Sequence, residues 1–286
     1  MIQACDNGGA QLHYETFGGD RDTLVLLIAG AGAPAEYWPQ SFCEALAARQ
    51  YQVVRFWHRD TGQSTHFDEP YSIDLLIDDV LAILDSRACE TAHLVGHSMG
   101  GYIAQLISTR HPGRVLSCIA LAAGPLASEK GKQQLGLSSP DEALWPKLME
   151  NLPKGDFDRD LPGWMASWQL LNGQLDIEQD LARAYTRALY SGPASNHQAA
   201  ENHIHAMTTV ADCLAADLGK CDVPILYIHG EFDPLVPPDH GAKAAELARY
   251  GALEILPDAG HMYFNRHIWD RIETLVAKHC ARADQT

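Results

Sequence analysis

The chain has 286 residues, of which 46% are hydrophobic and 20% charged, and its formal net charge at pH 7 is −16. This composition is typical of a folded globular protein and excludes intrinsic disorder. The negative charge argues against nucleic acid as a partner, because a phosphate backbone would be repelled. The first residues do not resemble a signal peptide, and no apolar run approaches the roughly 20 residues that cross a bilayer. We therefore expect a cytoplasmic protein without membrane insertion.

Strands and helices alternate in the first part of the chain. Runs of β-type residues predict strands at 11–16, 24–29, 52–56, 92–95 and 116–122. Helical spacing of apolar residues predicts helices at 41–49, 73–84 and 102–110. The same alternation resumes with a strand at 224–229, a helix at 239–249, a strand at 252–256 and a helix at 267–279. The order predicts an α/β fold with a mostly parallel central sheet and helices on both faces.

A segment between these two parts lacks the alternation. Prolines interrupt several short helical stretches that are rich in Trp, Leu and Met. An insertion of this length usually has structure of its own. We predict one core formed by residues 1–126 and 211–286, with a helical lid inserted at 127–210.

The sequence Gly96-His97-Ser98-Met99-Gly100 joins a predicted strand to a predicted helix. Its G-x-S-x-G spacing is typical of a nucleophile turn, in which small residues allow the backbone to bend tightly and expose the serine hydroxyl. The alternative is that Ser98 only caps the helix, as serine often does. Because a serine hydroxyl is a weak nucleophile, the first interpretation requires a histidine base and an orienting carboxylate elsewhere in the chain.

Two loops supply those partners. Asp233 follows the predicted strand at 224–229, and His261 follows the next strand. The order serine, acid, histidine is the one that accompanies this turn in α/β sheets. Glu231 is the rival acid, but the exit of the strand favours Asp233. The sequence therefore predicts a catalytic triad of Ser98, Asp233 and His261 at one edge of the sheet.

With these motifs, the chain resembles the α/β-hydrolase superfamily over residues 11–278. The resemblance implies an oxyanion hole formed by the backbone N–H groups of Met99 and Ala31. The family usually has His-Gly in the loop that contains the second donor, and this chain has Ala29-Gly30. Since the donor is a backbone N–H, the difference affects loop geometry more than function.

A second resemblance concerns the sequence His58-Arg59-Asp60-Thr61-Gly62-Gln63-Ser64, which varies a turn usually written D-x-R-G-x-G-x-S. We expect this turn to brace the loop that contains Ala31, and the alternative is that His58 or Arg59 contacts the substrate. Together with the Ala-Gly-Ala-Gly loop and Tyr37-Trp38, the turn is similar to the aclacinomycin methylesterase-like branch of the superfamily.

Aromatic and apolar residues of the insertion are candidates for substrate binding, namely Trp145, Trp164, Met165 and Trp168. Such side chains could cover the binding pocket of a hydrophobic substrate. The alternative, which carries more weight, is that they form the core of the lid itself, because large exposed apolar patches are rare.

Four other histidines are given no catalytic role. His197, His203 and His205 lack the surrounding carboxylates or thiols of a metal site, so we predict no metal and expect surface positions. His97 is expected to pack against the top of the sheet, because His261 already supplies the base.

These residues predict a serine hydrolase that cleaves a carboxylic ester, for example a methyl ester or lactone of a hydrophobic small molecule, through an acyl-enzyme and without a cofactor. Carbon–carbon bond hydrolases, acyltransferases and cofactor-free haloperoxidases use the same triad and stay open as alternatives. A non-catalytic small-molecule receptor is the alternative from another class. A homodimer is left open as the assembly state.

Overall fold

The computed structural model describes residues 2–20, 22–125, 127–151, 154–191, 196–209 and 217–285. The strands are β1 (Ile2–Asn7), β2 (Ala10–Phe17), β3 (Thr23–Ile28), β4 (Tyr51–Phe56), β5 (Ala92–His97), β6 (Val115–Leu121), β7 (Ile225–Gly230) and β8 (Gly251–Leu256). They form one sheet in the order β1-β2-β4-β3-β5-β6-β7-β8. The strands from β4 to β8 in this order pair in parallel, whereas β2 is antiparallel to both β1 and β4.

The sequence prediction of a mostly parallel sheet is confirmed, and one strand was missed. Strand β1 alternates between exposed and partly exposed residues, so it carries no buried apolar face that would mark it as a strand. It is held by its hairpin with β2, whose turn residues Gly8 and Gly9 both have positive φ. This two-residue turn between paired Asn7 and Ala10 is a common hairpin connection.

The helices are α1 (Gln40–Ala48), α2 (Ile73–Ser86), α3 (Met99–Arg110), α4 (Glu129–Gln134), α5 (Leu144–Glu150), α6 (Phe157–Leu171), α7 (Gln179–Leu189), α8 (Asn196–Thr208), α9 (Pro238–Leu247) and α10 (Arg266–Ala283). Two hydrophobic clusters cover the two faces of the sheet. Alternate residues of β3 enter them, with Leu26 in the cluster of α2 and α3, and Leu27 in the cluster of α1 and α10. This alternation is the period-two pattern of a strand buried on both faces.

Helices α4 to α8 lie in the chain between β6 and β7, where the sequence predicted the inserted lid. The end of α6 is joined to the loop after β8, because the N–H of Met262 donates to the carbonyl of Leu171 at 2.9 Å and Gly173 forms a β-bridge with Ala259. Residues 126 and 210–216, at the predicted boundaries, lie outside the described residues. The division into core and lid therefore stays a prediction. None of the helices in the described part of the chain combines the length and apolarity needed to cross a membrane.

Candidate active site

Ser98 lies on the turn between β5 and α3, in a backbone conformation that side chains rarely adopt, with φ 51° and ψ −118°. The turn requires glycine two residues to either side of it. A Cβ on Gly96 would lie 2.1 Å from the carbonyl oxygen of Gly100, and a Cβ on Gly100 would lie 2.1 Å from that of Ile28. Strained positions of this kind concentrate at functional sites. The Ser98 side chain makes no capping hydrogen bond to α3, so the alternative of a simple helix cap is not supported.

The three residues predicted as a triad lie in one hydrogen-bonded chain. Nε2 of His261 is 3.1 Å from Oγ of Ser98, and Nδ1 of His261 is 2.8 Å from Oδ2 of Asp233. His261 and Asp233 are buried, whereas Ser98 keeps partial exposure. With Nδ1–H donating to the carboxylate, Nε2 has a free lone pair that can accept the serine proton.

Asp233 is fixed by its own loop after β7. Its Oδ1 accepts hydrogen bonds from the N–H groups of Leu235 and Val236 at 2.9 and 2.8 Å. Burial alone would raise the pKa of Asp233, but His261 and His229 outweigh it, so the pKa lies well below its usual range. The rival acid Glu231 is exposed and makes no hydrogen bond to His261. The carboxylate beside the histidine therefore stays ionised.

His97 contacts the backbone of His261. Its Nε2–H donates to the backbone carbonyl of His261 at 2.9 Å, and its ring stacks on Tyr37 with centroids 4.3 Å apart. Burial is the main cause that lowers the pKa of His97 to about 3, so the ring is neutral. The expected packing of His97 against the top of the sheet is confirmed, and the structure adds its bond to the His261 loop.

The loop after β3 passes directly beside the nucleophile. A Cβ on Gly30 would lie 3.4 Å from Cβ of Ser98, and the N–H of Ala33 bonds to the carbonyl of Gly30 at 3.2 Å, closing a turn. Ala31, the second residue of this turn, is partly exposed, and its neighbours Gly30 and Gly32 are buried. The loop and the first residues of α3 thus bring several backbone amides close to Ser98.

The turn after β4 braces that loop, as the sequence predicted. His58 is fully buried and its Nε2–H donates to the carbonyl of Ala29 at 3.1 Å. Arg59 is buried and forms a two-point ion pair with Asp79, at 2.6 and 2.7 Å. Both side chains are therefore committed to structural contacts.

The aromatic candidates of the insertion lie in different environments. Trp164 and Trp168 stack with centroids 4.7 Å apart, and Trp168 packs on Phe264 at 5.5 Å. Trp168 is buried and Met165 is half-buried, whereas Trp145 is half exposed. Trp168 belongs to the hydrophobic cluster beneath, and substrate contact by these side chains stays a prediction.

The expected surface position of His203 is wrong. Its ring is fully buried between the loop at residues 30–33 and the turn after β4, where it bonds to the N–H of Gly32 and the carbonyl of Arg59. The signal lay in the helical spacing of Ala199, Asn202, His203 and Ala206, which form one buried face of α8. His205 is exposed as expected, and the side chain of His197 lies outside the described residues. Within the described ranges, no three potential metal ligands cluster.

Comparisons with known proteins agree with this geometry. A family model described as alpha/beta hydrolase fold matches residues 23–266. The chain belongs to the α/β hydrolase fold family. It is 32% identical over 265 residues to rhodomycin D methylesterase DauP of Streptomyces sp. (strain C5), covering 87% of this chain and 88% of that protein. It is 36% identical over 276 residues to a putative carbamate hydrolase RutD of Variovorax paradoxus, covering 93% and 97%.

A solved structure has the same fold. The putative aryl esterase from Burkholderia cenocepacia superposes with a TM-score of 0.78 at 17% identity, over all of both chains. The predicted α/β-hydrolase fold and the predicted family are therefore confirmed.

Proposed function

We propose that this α/β hydrolase is a serine carboxylic ester hydrolase with Ser98 as nucleophile, His261 as base and Asp233 as orienting acid. The observation that carries the proposal is the hydrogen-bonded chain from Oγ of Ser98 through both ring nitrogens of His261 to Oδ2 of Asp233, at 3.1 and 2.8 Å. A serine that served only as a helix cap would need neither partner.

In the proposed reaction, Oγ of Ser98 attacks the ester carbonyl carbon and its proton passes to Nε2 of His261. The charge that forms on the carbonyl oxygen is held by the backbone N–H groups of Met99 and Ala31, helped by the positive end of α3. His261 then protonates the leaving alcohol, and the acyl group stays on Ser98. Water, deprotonated by the same histidine, releases the acid and restores the serine hydroxyl.

We further propose a hydrophobic small-molecule ester as substrate and a lid at 127–210 over the site. The names of two relatives, rhodomycin D methylesterases of Streptomyces species at 32% and 31% identity, favour a methyl ester as the first compound to test. Apolar side chains of the insertion, Trp145, Trp164, Met165 and Trp168, are the proposed contacts with the acyl or alcohol part. This substrate class requires no cofactor.

The test measures hydrolysis of p-nitrophenyl esters and hydrophobic methyl esters by the native protein and by Ser98→Ala. We expect the substitution to lower kcat by a factor on the order of 10⁴ or more, because the triad acts as a unit. Ser191→Ala is the matched control, since Ser191 is exposed and its hydroxyl donates to the carbonyl of Ala188 at the end of α7. Turnover that survives in Ser98→Ala, or native protein that neither hydrolyses an ester nor reacts with a fluorophosphonate, would overturn the proposal.

A further inference from the structure

Helix α8 bears a buried histidine that contacts the two segments surrounding the proposed oxyanion hole. Nδ1 of His203 accepts a hydrogen bond from the N–H of Gly32 at 2.9 Å, and its Nε2–H donates to the carbonyl of Arg59 at 3.0 Å. Both ring nitrogens are used, which defines the tautomer. Burial lowers the pKa of His203 to about 3, so the lone pair on Nδ1 is available at neutral pH.

The bond to Gly32 determines the shape of the turn at residues 30–33. Gly32 has φ +65°, whereas the φ of Ala31 is not positive. A positive φ at the third position alone defines a type II turn. In a type I turn the peptide between Ala31 and Gly32 would be rotated by about 180°, and its N–H would point away from His203. The hydrogen-bond acceptor of His203 therefore stabilises the type II form of the turn.

The turn has few other means of holding its conformation. Its four residues are glycine and alanine, so no side chain beyond Cβ anchors it. A Cβ on Gly32 would lie 3.1 Å from Cβ of Ala200, which shows how closely α8 covers it. On the other side, His58 bonds to the carbonyl of Ala29. The amide of Ala31 belongs to the peptide next to the one that His203 holds.

The position of His203 is itself secured. Its neighbour Asn202 donates through Nδ2 to Oδ2 of Asp60 at 2.9 Å and to the carbonyl of Phe67 at 3.0 Å. The same oxygen of Asp60 accepts from the hydroxyl of Tyr71 at 2.7 Å. These buried contacts attach α8 to the turn after β4, so the ring of His203 has little freedom to move.

We propose that His203 is a positioning residue for oxyanion stabilisation. Its Nδ1 holds the N–H of Gly32, which fixes the peptide that follows Ala31 and so restrains the loop that presents the Ala31 amide to the substrate oxygen. This inference rests on the proposed ester hydrolysis and adds a residue to it, from a helix of the insertion.

The test compares two substitutions, each of which keeps one of the two hydrogen bonds of the His203 ring. In His203→Asn, Oδ1 can replace Nδ1 as the acceptor for Gly32, whereas in His203→Gln the side-chain N–H can reach the carbonyl of Arg59 and the acceptor is lost. We expect His203→Gln to lower kcat about 10- to 100-fold with KM changed by no more than about twofold, because an oxyanion donor acts in the transition state. His203→Asn should retain kcat within about threefold of the native value.

Thr209→Val is the matched control, because it removes the hydrogen bond between the Ile73 N–H and the hydroxyl of Thr209 after the end of α8 and leaves the bonds of His203 in place. An equal loss of kcat in Thr209→Val and His203→Gln would show that general destabilisation is responsible and would overturn the proposal. Native kcat in His203→Gln, or loss of kcat in His203→Asn equal to that in His203→Gln, would also overturn it.

A second measurement is independent of turnover. Hydrogen exchange of the Gly32 amide is followed by NMR with ¹⁵N-glycine and carbonyl-¹³C-alanine, which selects glycines that follow an alanine. We expect slow exchange in the native protein and in His203→Asn, and fast exchange in His203→Gln. Fast exchange in the native protein overturns the inference even if the glutamine variant does not fold. Absence of Ser98-dependent turnover would instead reject the proposed function, and the exchange rates would still decide whether His203 holds the turn.

Discussion

Three buried histidines make the folded protein sensitive to mild acid. His58, His97 and His203 are almost fully buried, and burial is the largest cause that lowers the pKa of His58 to about 4 and those of His97 and His203 to about 3. In the unfolded chain each has its ordinary pKa of about 6.5. Between these values only the unfolded state binds the protons, so acidification favours unfolding.

The magnitude follows from these pKa values. Well above pH 6.5 all three rings are neutral in both states, and stability does not depend on them. Below it, each ring lowers the free energy of unfolding by about 1.4 kcal/mol per pH unit until the folded pKa is reached. Integrated from pH 6.5 to 5 with gradual titration, the three together remove about 5 kcal/mol. This is a large part of the roughly 5–15 kcal/mol that stabilises a typical domain.

The measurement is urea unfolding followed by tryptophan fluorescence, repeated between about pH 7.5 and about pH 5. We expect His203→Asn to reduce the loss of unfolding free energy between pH 6.5 and 5 by roughly 1.6 kcal/mol, because it removes one group that binds its proton only in the unfolded state. Burial also lowers the pKa of His93 and of His279, so part of the pH dependence stays in the variant. His205→Gln is the control, since His205 is exposed and should leave the slope unchanged. A free energy of unfolding that falls by less than about 1 kcal/mol between pH 6.5 and 5 would refute the reasoning.

Two further substitutions test the site and its support. Asp233→Asn should lower kcat for ester hydrolysis by a factor on the order of 10⁴. The amide oxygen would keep the bonds of Oδ1 to the loop, so the amide N–H₂ would face His261 and favour the tautomer that cannot accept the serine proton. A kcat equal to that of the native protein would contradict this. Asp79→Leu should lower the free energy of unfolding by about 3–5 kcal/mol in urea titrations, because it leaves Arg59 buried without its ion pair. Adding Arg59→Met should recover most of that loss, and a double variant no more stable than the single one would argue against the unpaired charge as its cause.

The sequence allowed the parts of the site that depend on local geometry to be predicted. The turn around Ser98 needs glycine at positions 96 and 100 for steric reasons, and those reasons leave a readable spacing. Asp233 and His261 could be assigned because parallel strands end at a common edge of the sheet and each residue follows such a strand.

What was missed depends on contacts between residues far apart in the chain. His203 bonds to Gly32, 171 residues away, and no local pattern indicates that pairing. A lone histidine on a helix is usually exposed, and its environment here was created by packing α8 onto two turns. Strand β1 was missed for a different reason, since its residues have no apolar face and only the Gly8-Gly9 turn indicated a hairpin.

The junction between α6 and the loop after β8 couples the insertion to the loop that carries His261. The Met262 N–H bonds to Leu171, Gly173 pairs with Ala259, and the side chain of Asn172 accepts from the N–H of Phe264 at 2.9 Å. Lifting the end of α6 would break these bonds and pull on the loop that carries His261. The segment around α4 and α5 is bonded in the same way to the loop after β7, because the N–H of Asp141 donates to the carbonyl of Pro234 at 3.0 Å. The insertion is therefore tied to both loops that carry the proposed partners of Ser98, and a movement of either end would be transmitted to one of them.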